Sequence, residues 1–184
     1  MGMIRHIAVL AALACTGLMA GGAAAQVQKL DCYERLYSAE HLAKHAAQSV
    51  RRLTVALVEE AGDHDWSRWM GLTVDFAAQG QGGRNVRPGV EYEQTLRCFT
   101  VEDPHGWPGW VKPGTVVCAV DGDGGAIGII SRDKDSLLLW TRGVVLGEPD
   151  PTSGAPVPIL TDEGAGSVRF KLGRVPAGAC TRTW

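Results

Sequence analysis

Two histidines, His41 and His45, have a spacing that could support metal chemistry. They follow Ser38, a residue type that caps helices, and most of the residues around them are good helix formers. On a helix the two imidazoles lie one turn apart on the same face, which allows them to share a zinc ion. The metalloprotease motif needs a glutamate directly after the first histidine, whereas this chain has Leu42 there and Glu40 on the other side. The spacing therefore predicts a helix that could supply two zinc ligands.

A zinc site would need a third ligand from another part of the chain. His64, which lies between two aspartates, and His105 are the candidates. A metal-binding protein or metal-dependent hydrolase built on His41 and His45 is one function that these residues allow. The other interpretation is a solvated helix face that carries two histidines.

A loop rich in proline and glycine, residues 102–114 (EDPHGWPGWVKPG), is the second candidate site. The side chains that suit ligand binding are Glu102, Asp103, His105, Trp107 and Trp110. Flat aromatic rings on a loop offer apolar contact area at a small entropic cost, and sugar rings stack well on such faces. In the alternative interpretation both tryptophans fold back and cover one end of the barrel.

The segment DGDGG, residues 121–125, lies between two apolar runs and contains residues that tolerate positive φ. This composition predicts a hairpin connection. An EF-hand calcium loop needs a third oxygen ligand and a glutamate at its twelfth position, where this chain has Gly125 and Arg132. We therefore expect a plain turn, with a calcium site of another type as the alternative.

Residues 1–25 resemble a secretory signal, with Arg5 near the start, an apolar run and three alanines ending at Ala25. The sequence thus predicts a periplasmic or secreted protein, with residues 26–184 as a single domain. No later segment reaches the roughly 20 apolar residues of a membrane span.

Four cysteines follow the signal: Cys32, Cys98, Cys118 and Cys180. An even count without a CxxC motif in an exported chain predicts disulfides. We expect Cys98 to pair with Cys118, because both lie in consecutive predicted strands, and Cys32 with Cys180, which joins the ends of the domain.

Alternating apolar residues predict one half-buried strand after another along most of the chain. The clearest runs are Leu53 to Leu57, Met70 to Phe76, Tyr92 to Cys98, Val116 to Val120, Ile127 to Ile129, Leu137 to Trp140 with Val144 to Leu146, and Val168 to Leu172. About seven to eight strands joined by turns predict an antiparallel barrel or sandwich, with a short N-terminal helix. Trp66, Trp69, Trp140 and Trp184 are expected in the core or at the ends of the barrel.

Composition and motifs exclude several function classes. The chain has 18 Lys and Arg against 20 Asp and Glu, a formal net charge of −2 without long runs, so a nucleic-acid partner is not expected. No GxSxG or HExxH motif occurs, and enzymatic activity has no positive support in the sequence.

The segment CYERLYSAEHLAKH, residues 32–45, followed by RLTV at residues 52–55, resembles small exported bacterial proteins of uncharacterised function. The resemblance implies an all-β exported domain with a glycine-rich turn, here residues 120–125, and a late cysteine, here Cys180. Those proteins have a further cysteine near the turn, where this chain has Gly122. The resemblance implies no particular activity.

These features together predict an exported binding or interaction module. The expected partner is an envelope glycan, a small ligand held in the barrel mouth, or another exported protein such as a hydrolase that it inhibits. No cofactor is required by this prediction. Zinc at the histidine pair or calcium at the turn belongs to the alternatives.

Overall fold

The computed structural model describes residues 29–59, 68–79, 89–147, 159–160 and 168–180. Within these ranges the chain forms ten strands, one α-helix and a 3-10 helix at Ala177–Cys180. The strands and the helix are β1 (Lys29–Leu36), α1 (Ala39–Lys44), β2 (Val50–Glu59), β3 (Arg68–Phe76), β4 (Glu91–Thr100), β5 (Val116–Ala119), β6 (Ala126–Arg132), β7 (Ser136–Arg142), β8 (Val144–Val145), β9 (Ile159–Leu160) and β10 (Val168–Val175).

Several of the predictions above fall outside the described residues. They are the signal segment 1–25, the candidate ligand His64, and Trp66 and Trp184. None of the helices in the described ranges combines the length and apolarity needed to cross a membrane.

Eight strands form a closed antiparallel barrel, which confirms the predicted all-β class and decides for the barrel over the sandwich. Strands β1 to β7 are neighbours in chain order, and β10 closes the barrel by pairing with both β7 and β1. Strands β8 and β9 pair only with each other among the described elements. We call the end where β2 ends and β3 begins the barrel mouth, and the opposite end, which carries α1, the helix end.

The interior is filled by alternate residues of the strands. On β3, Met70, Leu72, Val74 and Phe76 are fully buried, and the directly opposed residues of β2 have the same orientation. Each buried aliphatic or aromatic side chain contributes about 1.5–3 kcal/mol relative to exposure. The predicted alternation is therefore confirmed for the strands that it identified.

Strand β1 was not among the predicted strands. Its inward positions are Asp31 and Tyr33, both buried, whereas Cys32 lies on the outer side against Ala56 and Cys180. A charged residue at an inward position interrupts the apolar alternation from which strands are read. The strand is specified instead by eight residue pairs with β2, from Lys29 with Glu59 to Leu36 with Arg52.

Both predicted disulfides are confirmed. Cys98 and Cys118 are directly opposed on β4 and β5, with Cα atoms 3.9 Å apart. Cys32 and Cys180 lie 148 residues apart in sequence, with Cα atoms 5.9 Å apart. In the chain-entropy model, closing a loop of that length stabilises the fold by about 4–5 kcal/mol.

Candidate functional site

Residues 102–114, which we call the aromatic loop, connect β4 to β5 and are ordered by their own turns. In the first turn the Trp107 N–H donates to the Pro104 carbonyl at 3.0 Å, and Gly106 supplies a φ of 84°. In the second, the Val111 N–H donates to the Pro108 carbonyl at 2.8 Å. A positive φ at the third turn residue is the requirement of a type II turn, which glycine meets without strain. The loop thus presents its tryptophans from a defined backbone.

The aromatic loop folds back over the outer face of the barrel. The Trp110 ring packs directly on Gly128 of β6, where an added Cβ would lie 2.4 Å from the ring atom Cη2. Its centroid is 5.3 Å from that of Trp140, which points outward from β7. Trp110 therefore anchors the loop to the side of the barrel, and the expected cover over one end of the barrel is replaced by a cover over its side.

Residues 121–125, which we call the Asp-Gly turn, connect β5 to β6 as predicted. The Val120 N–H donates to the Gly125 carbonyl at 3.1 Å. A Cβ on Gly125 would lie 1.9 Å from the carbonyl oxygen of Gly143, so only glycine permits this approach to the chain beside β8. Asp121 and Asp123 both remain exposed to solvent.

The aromatic loop and the Asp-Gly turn both line an open groove of about 600 Å³. The groove is lined by Gly106, Trp107, Pro108, Ala119, Gly122, Asp123, Gly125, Ala126 and Trp140. Trp107 is half-buried, and its ring centroid lies 6.3 Å from that of Phe99. The groove therefore combines aromatic surface, one exposed carboxylate and backbone free of side chains.

Of the five loop residues proposed for binding, Trp107 is part of this lining. Glu102, Asp103 and His105 are exposed on the same loop but are not among the described residues that line the groove. The Asp103 carboxylate accepts a hydrogen bond from the His105 N–H at 2.9 Å, so it helps to shape the loop.

Two lining residues, Asp123 and Trp140, were not proposed as binding residues from the sequence. The sequence predicts that Asp123 is part of a turn, but a turn prediction does not say which residues lie across the groove from it. Trp140 is expected in the core or at a barrel end. It is indeed buried, with 6% of its surface exposed, but Leu137 and Leu139 face inward, so Trp140 is buried on the outer face of the barrel. The alternation of inward and outward side chains along β7 indicates the outward position of Trp140.

The predicted histidine pair lies at the helix end of the barrel. The Ser38 hydroxyl accepts a hydrogen bond from the His41 N–H at 3.1 Å and caps α1 as predicted. The two imidazole centroids are 4.3 Å apart, and the His41 ring also stacks on Tyr37 at 4.9 Å. Loss of solvation and then the nearby positive charge of His45 lower the pKa of His41.

A lowered pKa favours the neutral imidazole, which is the form that binds metal. In the part of the chain that the structure describes, no group of three or more His, Cys, Asp or Glu side chains is placed to hold a metal ion. His105, on the aromatic loop, joins no such group with the pair, and His64 lies outside the described residues.

The groove over β5 to β7 thus brings together two sequence motifs, the aromatic loop and the Asp-Gly turn. An aromatic face and a carboxylate are groups that can contact a ligand by stacking and by hydrogen bonding. Comparison of the chain with family models, with curated proteins and with solved structures gave no match.

Proposed function

We propose that this chain is an exported binding module that takes a glycan of the cell envelope into the groove between the aromatic loop and the Asp-Gly turn. The observation that carries the proposal is the convergence of Trp107 and Asp123 on one groove, with Trp140 in its lining. These residues come from the β4–β5 connection, the β5–β6 turn and strand β7.

A glycan suits this lining better than a purely apolar or purely charged ligand. Sugar rings have apolar faces that stack on indoles, and hydroxyl groups at their edges that donate to carboxylates. Trp107 supplies the indole, and Asp123 supplies an exposed acceptor. Glycines at 106 and 122 leave their backbone accessible at the rim. The groove volume of about 600 Å³ falls within the range of about 300–1,000 Å³ found for ligand sites.

Export is supported by the signal-like pattern of residues 1–25 and by the two disulfides. Disulfides persist in oxidising compartments such as the periplasm or the cell exterior. An envelope glycan would be present in the same compartment.

The proposal is tested by titrating the protein with chitotriose, a water-soluble oligosaccharide of N-acetylglucosamine, in an isothermal calorimeter. We expect binding by the parent protein and a loss of about tenfold in affinity in Trp107→Ala, because one aromatic stacking contact contributes about 0.5–1.5 kcal/mol beyond its buried area. Asp123→Asn is expected to weaken binding by a smaller factor, because the amide oxygen still accepts one hydrogen bond.

The matched control is Trp69→Ala, which removes a half-buried tryptophan from β3, outside the groove lining. Its affinity for chitotriose should equal that of the parent. Trp110 is not used for this test, because its ring anchors the loop on Gly128 and its loss would disturb the groove indirectly. Equal affinities of the parent and Trp107→Ala, or no heat of binding from the parent, would contradict the proposal.

A further inference from the structure

A second cavity, of about 160 Å³, opens at the barrel mouth. Its lining includes four apolar or sulfur-containing side chains, Leu57, Cys98, Val116 and Ile129, which come from β2, β4, β5 and β6. These residues belong to, or pack against, the main core inside the barrel. Val58 and Trp69 also line the cavity, which is therefore a small, largely apolar recess at the mouth. Among the described residues it shares no lining residue with the groove on the outer face.

The rim of this recess is charged. Glu59, Arg68 and Arg132 line it, and Arg132 links it to an ion cluster beside it. Arg132 donates to Glu59 at 3.1 Å and to the Tyr33 hydroxyl at 3.3 Å, and it also pairs with Asp31. Burial opposes the charge on Arg132, but these hydrogen bonds raise its pKa, so it stays cationic.

Two carboxylates at the mouth are already paired with guanidinium groups. Asp31 accepts hydrogen bonds from both Arg132 and Arg174, and Glu59 pairs with Arg132. Arg132 and Arg174 are thus engaged by carboxylates, whereas Arg68 also lines the recess. An anion at the mouth would have to contact a guanidinium group that these carboxylates do not already engage.

Arg68 is the guanidinium at the rim that has room for a ligand. Its Nη2 donates to the Thr100 hydroxyl at 2.8 Å, and within the described ranges it forms no ion pair with a carboxylate. Arginine has five N–H donors in a planar fork that matches a carboxylate in a two-point contact. Most of these donors are free of described protein acceptors.

We propose that the barrel mouth binds a small carboxylate whose apolar body fills the recess and whose carboxylate group pairs with Arg68. The recess of about 160 Å³ suits a body of the size of one benzene ring, because an apolar cavity of about 150 Å³ is known to hold benzene. The site is separate from the glycan groove, and it does not depend on the function proposed above.

Benzoate is the probe, and benzyl alcohol, which has nearly the same shape and no charge, is the comparison ligand. Both are titrated into the ¹⁵N-labelled full chain while backbone amide shifts are recorded. We expect benzoate to shift the amides of Cys98, Val116 and Ile129, and to leave Trp107 and Asp123 in the groove unchanged. Benzyl alcohol is expected to bind the unmodified protein about tenfold more weakly, because it lacks the charge-assisted contact.

The variant Arg68→Gln should weaken benzoate binding by about tenfold and leave the affinity for benzyl alcohol unchanged. The control Arg35→Gln removes the same charge from an exposed residue near the helix end of the barrel, and its benzoate affinity should equal that of the parent. The proposal is overturned if benzoate causes no shifts in the parent, if the shifts lie outside the mouth, or if Arg68→Gln binds benzoate as the parent does. Benzoate and benzyl alcohol are compared in the parent protein, so this comparison tests the role of the carboxylate group even if Arg68→Gln fails to fold.

Discussion

Replacement of Asp31 by asparagine tests whether the ion cluster at the barrel mouth supports the fold. The Asp31 side chain is 6% exposed and pairs with Arg132 and Arg174, whose side chains are 27% and 44% exposed. Asparagine has nearly the same volume, so the change removes a charge without creating a cavity. It also places an amide that can donate next to groups that only donate.

The expected cost follows from these exposures. Removing one partner of a fully buried ion pair costs about 3–5 kcal/mol, because it leaves an uncompensated charge. Both arginines here keep contact with water, so their charges are partly solvated after the change, and we expect a loss of about 2–3 kcal/mol. For a chain of this size a loss of 1 kcal/mol lowers the melting temperature by about 2–4 °C. Asp31→Asn should therefore unfold about 4–12 °C below the parent.

The assay is thermal unfolding followed by circular dichroism, with Asp135→Asn as the control. Asp135 undergoes the same change of charge at the same end of the barrel, but its side chain is 78% exposed and 3.6 Å from Lys134. Exposed pairs of this kind contribute about 0–1 kcal/mol. If Asp31→Asn unfolds at the same temperature as Asp135→Asn, the cluster does not stabilise the barrel and the reasoning is wrong. The double variant Asp31→Asn/Arg132→Gln should lose less than the sum of its single changes, because the two residues share one interaction.

Two further predictions concern the outer face and the helix end. In Gly128→Ala the new methyl group displaces the Trp110 ring, so we expect urea titration to show a loss of about 1–3 kcal/mol in the free energy of unfolding. The control Gly173→Ala, where an added Cβ meets no atom within 4 Å, should be close to neutral. Equal losses in both variants would refute the packing argument. In a proton NMR titration the pKa of His41 should lie below the ordinary value of 6.5. His45→Gln should move the pKa of His41 upward, because it removes a neighbouring positive charge. An unchanged His41 titration in that variant would show that His45 has no part in the shift.

The sequence predicted those strands whose inward positions are all apolar, such as β3 with Met70, Leu72 and Val74. It did not predict β1, because Asp31 and Tyr33 occupy inward positions there and form the polar cluster at the mouth. The sequence does not distinguish a closed barrel from a sandwich, for a different reason. Closure depends on strand tilt and register, and local alternation does not report either.

The candidate site could be predicted in part. Trp107 was identified because an aromatic residue in a loop of proline and glycine has few structural reasons to be there. Asp123 could not be identified, because it lines the same groove as Trp107 only after the aromatic loop folds back along the four-residue strand β5. Trp110 has the same local sequence context as Trp107, yet it packs on Gly128, and that contact depends on the position of β6.

The short pairing between β1 and β10 has a consequence for the order of folding. It joins residues near the two ends of the described chain through three residue pairs, and the Cys32–Cys180 bridge lies beside it. Contacts between residues so distant in sequence form slowly, because the intervening chain must lose its entropy first. The Cys98–Cys118 bridge spans 20 residues within neighbouring strands and can form early. We therefore expect Cys32 and Cys180 to be oxidised after β1 to β7 have assembled, so that this disulfide forms once the barrel has closed.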